Sequence, residues 1–214
     1  MRLLRALSPL LLATVAVSCA SAAPASSSVS PAATVAAGAS ATSAASSAAS
    51  DASPATTCSA TATPTIAMTE GPYYKAGAPE RSSLVTATMA GTRIVVAGYV
   101  LTRSCQPVAG AKVDVWQADA TGTYDNTGYT LRGYVLTDGQ GRYRFETIVP
   151  GEYPGRTEHI HVKVDVAGSV LTTQLYFPGQ ASNAQDGIFH QENLLTITGG
   201  SPLLGRFDFV LDRP

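Results

Sequence analysis

Residues 159–166, His-Ile-His-Val-Lys-Val-Asp-Val, alternate polar and apolar side chains without a break. A β-strand satisfies that period, because successive side chains leave on opposite faces, whereas a helix would scatter the Ile and Val residues around its cylinder. The strand reading puts His159, His161, Lys163 and Asp165 on one face and Ile160, Val162, Val164 and Val166 on the other. The Ile/Val stripe has to be buried, so the segment belongs in a sheet with one face against a core. Its other face carries two imidazoles that point the same way, roughly 7 Å apart along the chain. Both can reach one metal ion.

The chain around this strand is built alike. Arg93–Leu101, Lys112–Gln117, Arg132–Thr137, Arg142–Ile148, Val170–Phe177 and Arg206–Leu211 are short β-branched or alternating runs, with turn residues such as Pro107, Gly110 and Asp138-Gly139-Gln140-Gly141 between them. The runs on either side of 138–141 read as a hairpin. No stretch sustains a 3.6-residue apolar period. Strands at this spacing predict an all-β fold, an antiparallel β-sandwich with long loops at its active end. The connection from Asp119 to Leu131, with Gly122, Tyr124, Gly128 and Tyr129, is long enough to carry function.

The first third of the 214 residues is different: between Arg5 and Glu70 the only charged residue is Asp51. Arg2 and Arg5 followed by the apolar Leu10–Val17 run read as an export signal, too short to span a bilayer, occupying residues 1–22. Two processing routes are open. Ala16-Val17-Ser18-Cys19 resembles a bacterial lipobox, with Ala16 where Leu, Val or Ile is usual, and would anchor the chain by a lipid on Cys19. Cleavage near Ala22 or Ala23 would instead release it. Residues 23–63, almost wholly small or polar, cannot offset their ordering entropy and read as a tether reaching on the order of 35 Å. That leaves 64–214 as one domain, which holds all nine Tyr, the single Trp and all three His. The expected location is outside the cell or attached to the envelope. A formal charge of -1 argues against a nucleic-acid partner.

With Cys19 processed or lipidated, Cys58 and Cys105 form an even pair in an oxidising compartment, so a disulfide is expected; two unrelated buried thiols are the alternative. For the histidines, a zinc or cupin-type site would need another His or a carboxylate close by, and no Glu follows His161 before Glu192. The nearest further donors are phenols, Tyr153 before Pro154 and Tyr124 in the preceding loop. Either could equally be a packed aromatic. Two phenolates with two imidazoles form a hard anionic set that suits ferric iron.

Glu70-Gly71-Pro72-Tyr73-Tyr74, Val113–Ala120 leading to Gly122-Thr123-Tyr124, Arg132-Gly133, Thr137-Asp138, Pro150-Gly151 with Tyr153-Pro154-Gly155-Arg156, His159-Ile160-His161 and Gln174-Leu175-Tyr176-Phe177 occur in order. Together they resemble the intradiol ring-cleavage dioxygenases, over about residues 68–210. The likeness is strongest to the exported single-domain branch, related to protocatechuate 3,4-dioxygenase and catechol 1,2-dioxygenase. The resemblance implies Fe(III) as cofactor, a catechol and O2 as substrates, and cis,cis-muconate-type products. It makes Tyr124 the retained ligand, Tyr153 the displaceable one and His159 and His161 the other two. Arg156 becomes the active-site arginine and Gln174 a polar pocket residue, while His190 matches no motif position. The pattern from Val96 to Tyr153 also suits non-enzymatic transthyretin-like or adhesin-type modules, which would make the chain a cell-surface binding or spacer protein. Such a module has no use for His159, His161, Arg156 and Gln174 together. An intradiol-like sandwich without activity is a third reading.

Overall fold

The computed structural model describes residues 58, 59 and 62–213. The expected export signal, Cys19 and most of the expected tether lie outside the described residues. Strands form at β1 (Arg93–Thr102), β2 (Lys112–Trp116), β3 (Arg132–Leu136), β4 (Arg142–Ile148), β5 (His159–Val166), β6 (Ser169–Tyr176), β7 (Thr196–Thr198), β8 (Leu203–Arg206) and β9 (Phe209–Leu211). One sheet has the order β3-β2-β5-β6 and is antiparallel throughout. The other runs β4-β1-β8-β7, with β9 also on β1; there β1 is antiparallel to β4 but parallel to β8 and β9.

The sheets face each other across one core. Ile94, Val96, Val100, Phe145 and Phe209 from the mixed sheet meet Val113, Val115, Ile160, Val162, Val164 and Leu175 from the antiparallel one. Each such buried side chain contributes about 1.5–3 kcal/mol. The fold is therefore the β-sandwich that the alternation predicts, with β5 at the expected bounds.

Two local expectations are corrected. Arg132–Thr137 and Arg142–Ile148 do not form a hairpin: β3 pairs with β2 and β4 with β1, in different sheets. The cause is Thr137, whose buried Oγ1 donates to Val108 C=O (2.6 Å) and accepts Ala111 N–H (2.8 Å). Pinned there, the chain uses the 138–141 turn to cross between sheets. The expected single strand Arg206–Leu211 is split into β8 and β9 at Phe207-Asp208. Gly98 lets the Phe207 carbonyl reach 1.7 Å from where a Cβ would sit. Tyr143 Oη donates to that carbonyl (2.8 Å), and Asp208 Oδ1 takes the Tyr99 N–H (3.1 Å), so the ladder is interrupted but its polar groups are satisfied.

A strap before β1 crosses the outward face of the antiparallel sheet. Met68 N–H donates to Thr172 C=O (2.7 Å), Gln174 Nε2 to Thr69 C=O (2.9 Å) and Tyr134 N–H to Pro79 C=O (3.0 Å). The polar face of β5 is consequently not a solvated one: His159 and His161 are 2% and 1% exposed. A disulfide joins Cys58 to the turn after β1 at Cys105, 47 positions on. By loop-closure entropy such a link stabilises the fold by about 4 kcal/mol.

Candidate metal centre

The two histidines owe their placement to β5. His159 Nδ1–H donates to Thr157 C=O (2.6 Å), which leaves the Nε2 lone pair directed inward. His159 Nε2 and His161 Nε2 lie 3.1 Å apart. Trp116, directly across from His161 in the β2/β5 register, stacks on the His161 ring with centroids 4.8 Å apart and planes 8° from parallel. Burial lowers the His159 pKa to about 4 and drives that of His161 well below its ordinary value, with the neighbouring Arg156 charge adding to both. Both rings are neutral at pH 7 in the metal-free protein.

The phenols come from loops, and glycines bring the loops together. Gly122, at φ +82°, has the Glu152 carbonyl 2.1 Å from its missing Cβ, and Gly151 has the Ala120 carbonyl at 2.6 Å from its own. Only bare backbone permits that approach. Asp119 fixes the first loop by accepting the N–H groups of Thr121 (2.8 Å) and Thr123 (3.0 Å). Tyr153-Pro154-Gly155-Arg156 is a turn closed by Arg156 N–H on Tyr153 C=O (2.9 Å), with Pro at its second position and Gly155 at φ +78° at its third. The turn sets Tyr153 and Arg156 side by side. Tyr153 Oη reaches 3.4 Å from His159 Nε2, and the Tyr124 and Tyr153 rings meet edge to face at 5.8 Å. Tyr124, Tyr153, His159 and His161 thus converge.

These four groups fit a metal ion. Two nitrogens about 2.1 Å from one ion and a right angle apart lie roughly 3 Å from each other, the separation found for the Nε2 pair. Tyr124 Oη is buried without a formed hydrogen bond, although it lies near enough to Tyr153 for each phenol to affect the other's ionisation. Burial pushes both phenols upward, that of Tyr124 far above its ordinary value, so without a cation they are protonated. A trivalent ion would reverse that balance. Among the described residues no three His, Cys, Asp or Glu side chains cluster as a metal site, so a metal here depends on the phenols.

Arg156 borders the centre. Its guanidinium donates from Nη1 to Tyr153 Oη (3.3 Å) and from Nη2 to Gln174 Oε1 and Tyr176 Oη (3.4 Å). Gln174 also accepts from Tyr176 Oη (3.0 Å). The charge, the amide and two phenols form one network against the imidazoles. His190 is exposed, 3.9 Å from Glu192, and takes no part.

The profile of the Dioxygenase_C family, described as a dioxygenase, matches residues 69–212. The structure of an intradiol ring-cleavage dioxygenase from Tetranychus urticae superposes with a TM-score of 0.66 at 26% identity, covering 71% of this chain and 95% of that one. The chain belongs to the intradiol ring-cleavage dioxygenase family. A second structure, the dioxygenase domain of a dioxygenase carbohydrate-binding protein fusion from Streptomyces sp. SirexAA-E, superposes with a TM-score of 0.69 at 48% identity, covering 71% of this chain and all of that one. The protocatechuate 3,4-dioxygenase beta chain of Burkholderia cepacia is 42% identical over 118 residues, 46% of this chain and 50% of that protein. Chlorocatechol 1,2-dioxygenase of Pseudomonas sp. strain P51 is 30% identical over 173 residues, 67% of this chain and 69% of its own. The chain thus spans half the length of one curated relative and about two thirds of another.

Beyond the residues singled out from sequence and the Trp116 and Tyr176 described above, three more lie at the centre of this intradiol family member. Tyr73, carried by the strap, stacks on Tyr124 with centroids 4.4 Å apart. Gly71, at φ +73°, lies so close that a Cβ would sit 3.3 Å from His161. Asp186, from the connection after β6, binds Arg156 Nε at 2.9 Å. Tyr73 and Gly71 stand in the Glu-Gly-Pro-Tyr-Tyr run that carried part of the resemblance, so a signal existed for them. Asp186 had none, being a lone carboxylate in a long loop.

Proposed function

We propose that the protein is an Fe(III)-dependent intradiol dioxygenase that cleaves catechol-type aromatics with O2 between the two hydroxyl-bearing carbons, giving cis,cis-muconate-type products. The observation that carries this is the convergence of two neutral imidazoles and two phenols, with no carboxylate or thiol among them. Ferrous sites of the two-histidine, one-carboxylate type need the group missing here. Family membership and the relatives' names support a catechol as substrate. A spacer or adhesin module would have no reason to bury Tyr124, His159 and His161 with the half-buried Tyr153 facing them.

Tyr124, Tyr153, His159 and His161 would hold ferric iron, which would supply Lewis acidity and electron withdrawal from a catecholate, leaving its ring reactive toward O2. The chain's own residues do the rest. Tyr153, half-buried and on a turn, is the phenol able to leave the centre and take a proton from a substrate hydroxyl. Tyr124, wedged under Tyr73, stays. Arg156 holds a fixed positive charge beside Tyr153, where negative charge on the substrate would develop, and Gln174 orients oxygen atoms by hydrogen bonds. Trp116 and Tyr73 wall off water. No organic cofactor or external reductant is needed.

Export to the cell exterior or envelope, by the residue 1–22 signal and with or without a lipid on Cys19, belongs to the same proposal. The Cys58–Cys105 disulfide supports it, since such links persist in oxidising compartments. The deciding experiment is oxygen uptake by iron-loaded protein against a panel of catechols, with product identification under ¹⁸O2. Colourless muconate bearing both labelled atoms is expected. Yellow semialdehyde, or no uptake with any catechol, would overturn the reading.

A further inference from the structure

The geometry points to Asp186 as a positioning residue for the reaction, one that holds the Arg156 guanidinium and the Thr157 backbone in register with the metal centre; the inference rests on the dioxygenase reading. Asp186 is buried, its side chain 1% exposed, in a stretch between β6 and β7 that otherwise lies largely at the surface. Both of its carboxylate oxygens accept hydrogen bonds locally. Oδ2 accepts Arg156 Nε–H (2.9 Å) and Thr157 N–H (3.2 Å), and Oδ1 accepts Ile188 N–H (3.0 Å). The two bonds to Oδ2 bear on different limbs of the site. Through Arg156 the carboxylate fixes the plane of a guanidinium whose other nitrogens face Tyr153, Gln174 and Tyr176. Through the Thr157 N–H it holds the residue whose own carbonyl, in the next peptide, receives His159 Nδ1–H.

A long arginine side chain has several rotatable bonds, and nothing else in the described structure grips Arg156 at Nε. Without the carboxylate the guanidinium would keep its charge but lose the direction in which that charge is presented. A carboxylate at Nε is also compatible with catalysis in a way that one at the terminal nitrogens would not be, because it leaves the Nη1 and Nη2 edge to the substrate side. Asp186 touches neither substrate nor metal in this arrangement. It acts through its neighbours.

Asp186→Asn preserves shape and removes charge. In iron-loaded protein it should lower kcat by 10- to 100-fold while KM changes less than about threefold and iron content stays near stoichiometric, the pattern of misdirected electrostatics. Adding Arg156→Ala to it should cost little beyond Arg156→Ala alone, because both changes disable one unit. A readout without turnover is the Arg156 Nε–H resonance in metal-free ¹⁵N-labelled protein. It should be downfield and protected from exchange in the wild type, and should lose both features in Asp186→Asn. If Asp186→Asn does not fold, Asp186→Glu, which keeps the charge and moves it by one methylene, is read in the same way. Wild-type kcat in the variant that folds, additive losses in the double variant, or an unchanged Nε–H resonance would overturn the inference. Failure of the dioxygenase reading itself would appear separately, as absence of oxygen uptake in the wild type.

Discussion

The imidazoles and the phenols reach the same point by opposite means. His159 and His161 sit on β5, where the two-residue period and the pairing with β2 and β6 leave their direction no freedom. Tyr124 and Tyr153 sit on loops whose mutual position depends on two glycines meeting two carbonyls and on a Pro-Gly turn. On the proposed function, the difference separates the ligands that would stay from the one that would move. A strand holds a permanent ligand well, whereas a turn residue can swing aside without disturbing the core.

Removing a strand ligand should therefore be the most damaging change. His161→Ala should lose nearly all iron and bring oxygen uptake below about a thousandth of the wild type, with the sandwich still folded; metal analysis beside circular dichroism checks it. A variant that keeps its iron would break the comparison at its firmer half.

Acid probes the same half. The His159 pKa is depressed to about 4 in the folded metal-free protein, so the unfolded chain binds more protons than the folded one between about 6.5 and 4. Stability should then be full above the upper value, fall as pH drops through this window by about 3 kcal/mol from His159 alone, and show no further loss from this group below the lower value. Denaturant unfolding of metal-free protein at a series of pH values measures the fall, and a flat profile would contradict the burial argument.

On the mobile half, Tyr153→Phe should keep most of the iron and part of the tyrosinate-to-iron colour supplied by Tyr124, while kcat drops by about 10² through loss of the proton acceptor. Visible absorbance and turnover, taken together, test this. Equal loss of colour from Tyr124→Phe and Tyr153→Phe would not separate the two phenols; a much larger loss of iron from Tyr124→Phe would sharpen their division.

Gly122→Ala tests the loop contact itself. A methyl group there meets the Glu152 carbonyl and a left-handed backbone at once, so a loss of roughly 2 kcal/mol is expected. In thermal unfolding that is a fall of about 4–8 °C. An unchanged melting temperature would mean that the loops are not held by this approach.

The same division explains what could be read from the residues alone. The histidine strand is legible because periodicity determines both its bounds and its faces. Tyr124 and Tyr153 could be named from the residues only as candidate donors that could equally be packed aromatics, and the choice between the two readings came from resemblance, since nothing in the order of residues says that Gly122 and Gly151 touch across the chain. The hairpin expected at 132–148 failed for a related reason: turn chemistry at Asp138 is local, but the choice of sheet is made by Thr137 bonding to a distant turn. Asp208 interrupted an expected strand by capturing a backbone N–H over a hundred residues away. Contacts of that reach leave no local pattern.

The strap across the antiparallel sheet has a consequence for the order of assembly. It precedes every strand it covers, and its Thr69 C=O accepts from Gln174 Nε2, far along the chain. During vectorial synthesis or threading the strap emerges first and waits as loose polymer for more than a hundred residues. Only when β6 has emerged can Gly71 close over His161 and Tyr73 over Tyr124. The candidate metal site thus cannot be complete before β6 has emerged, and any metal loading would fall to whichever compartment receives the folded chain.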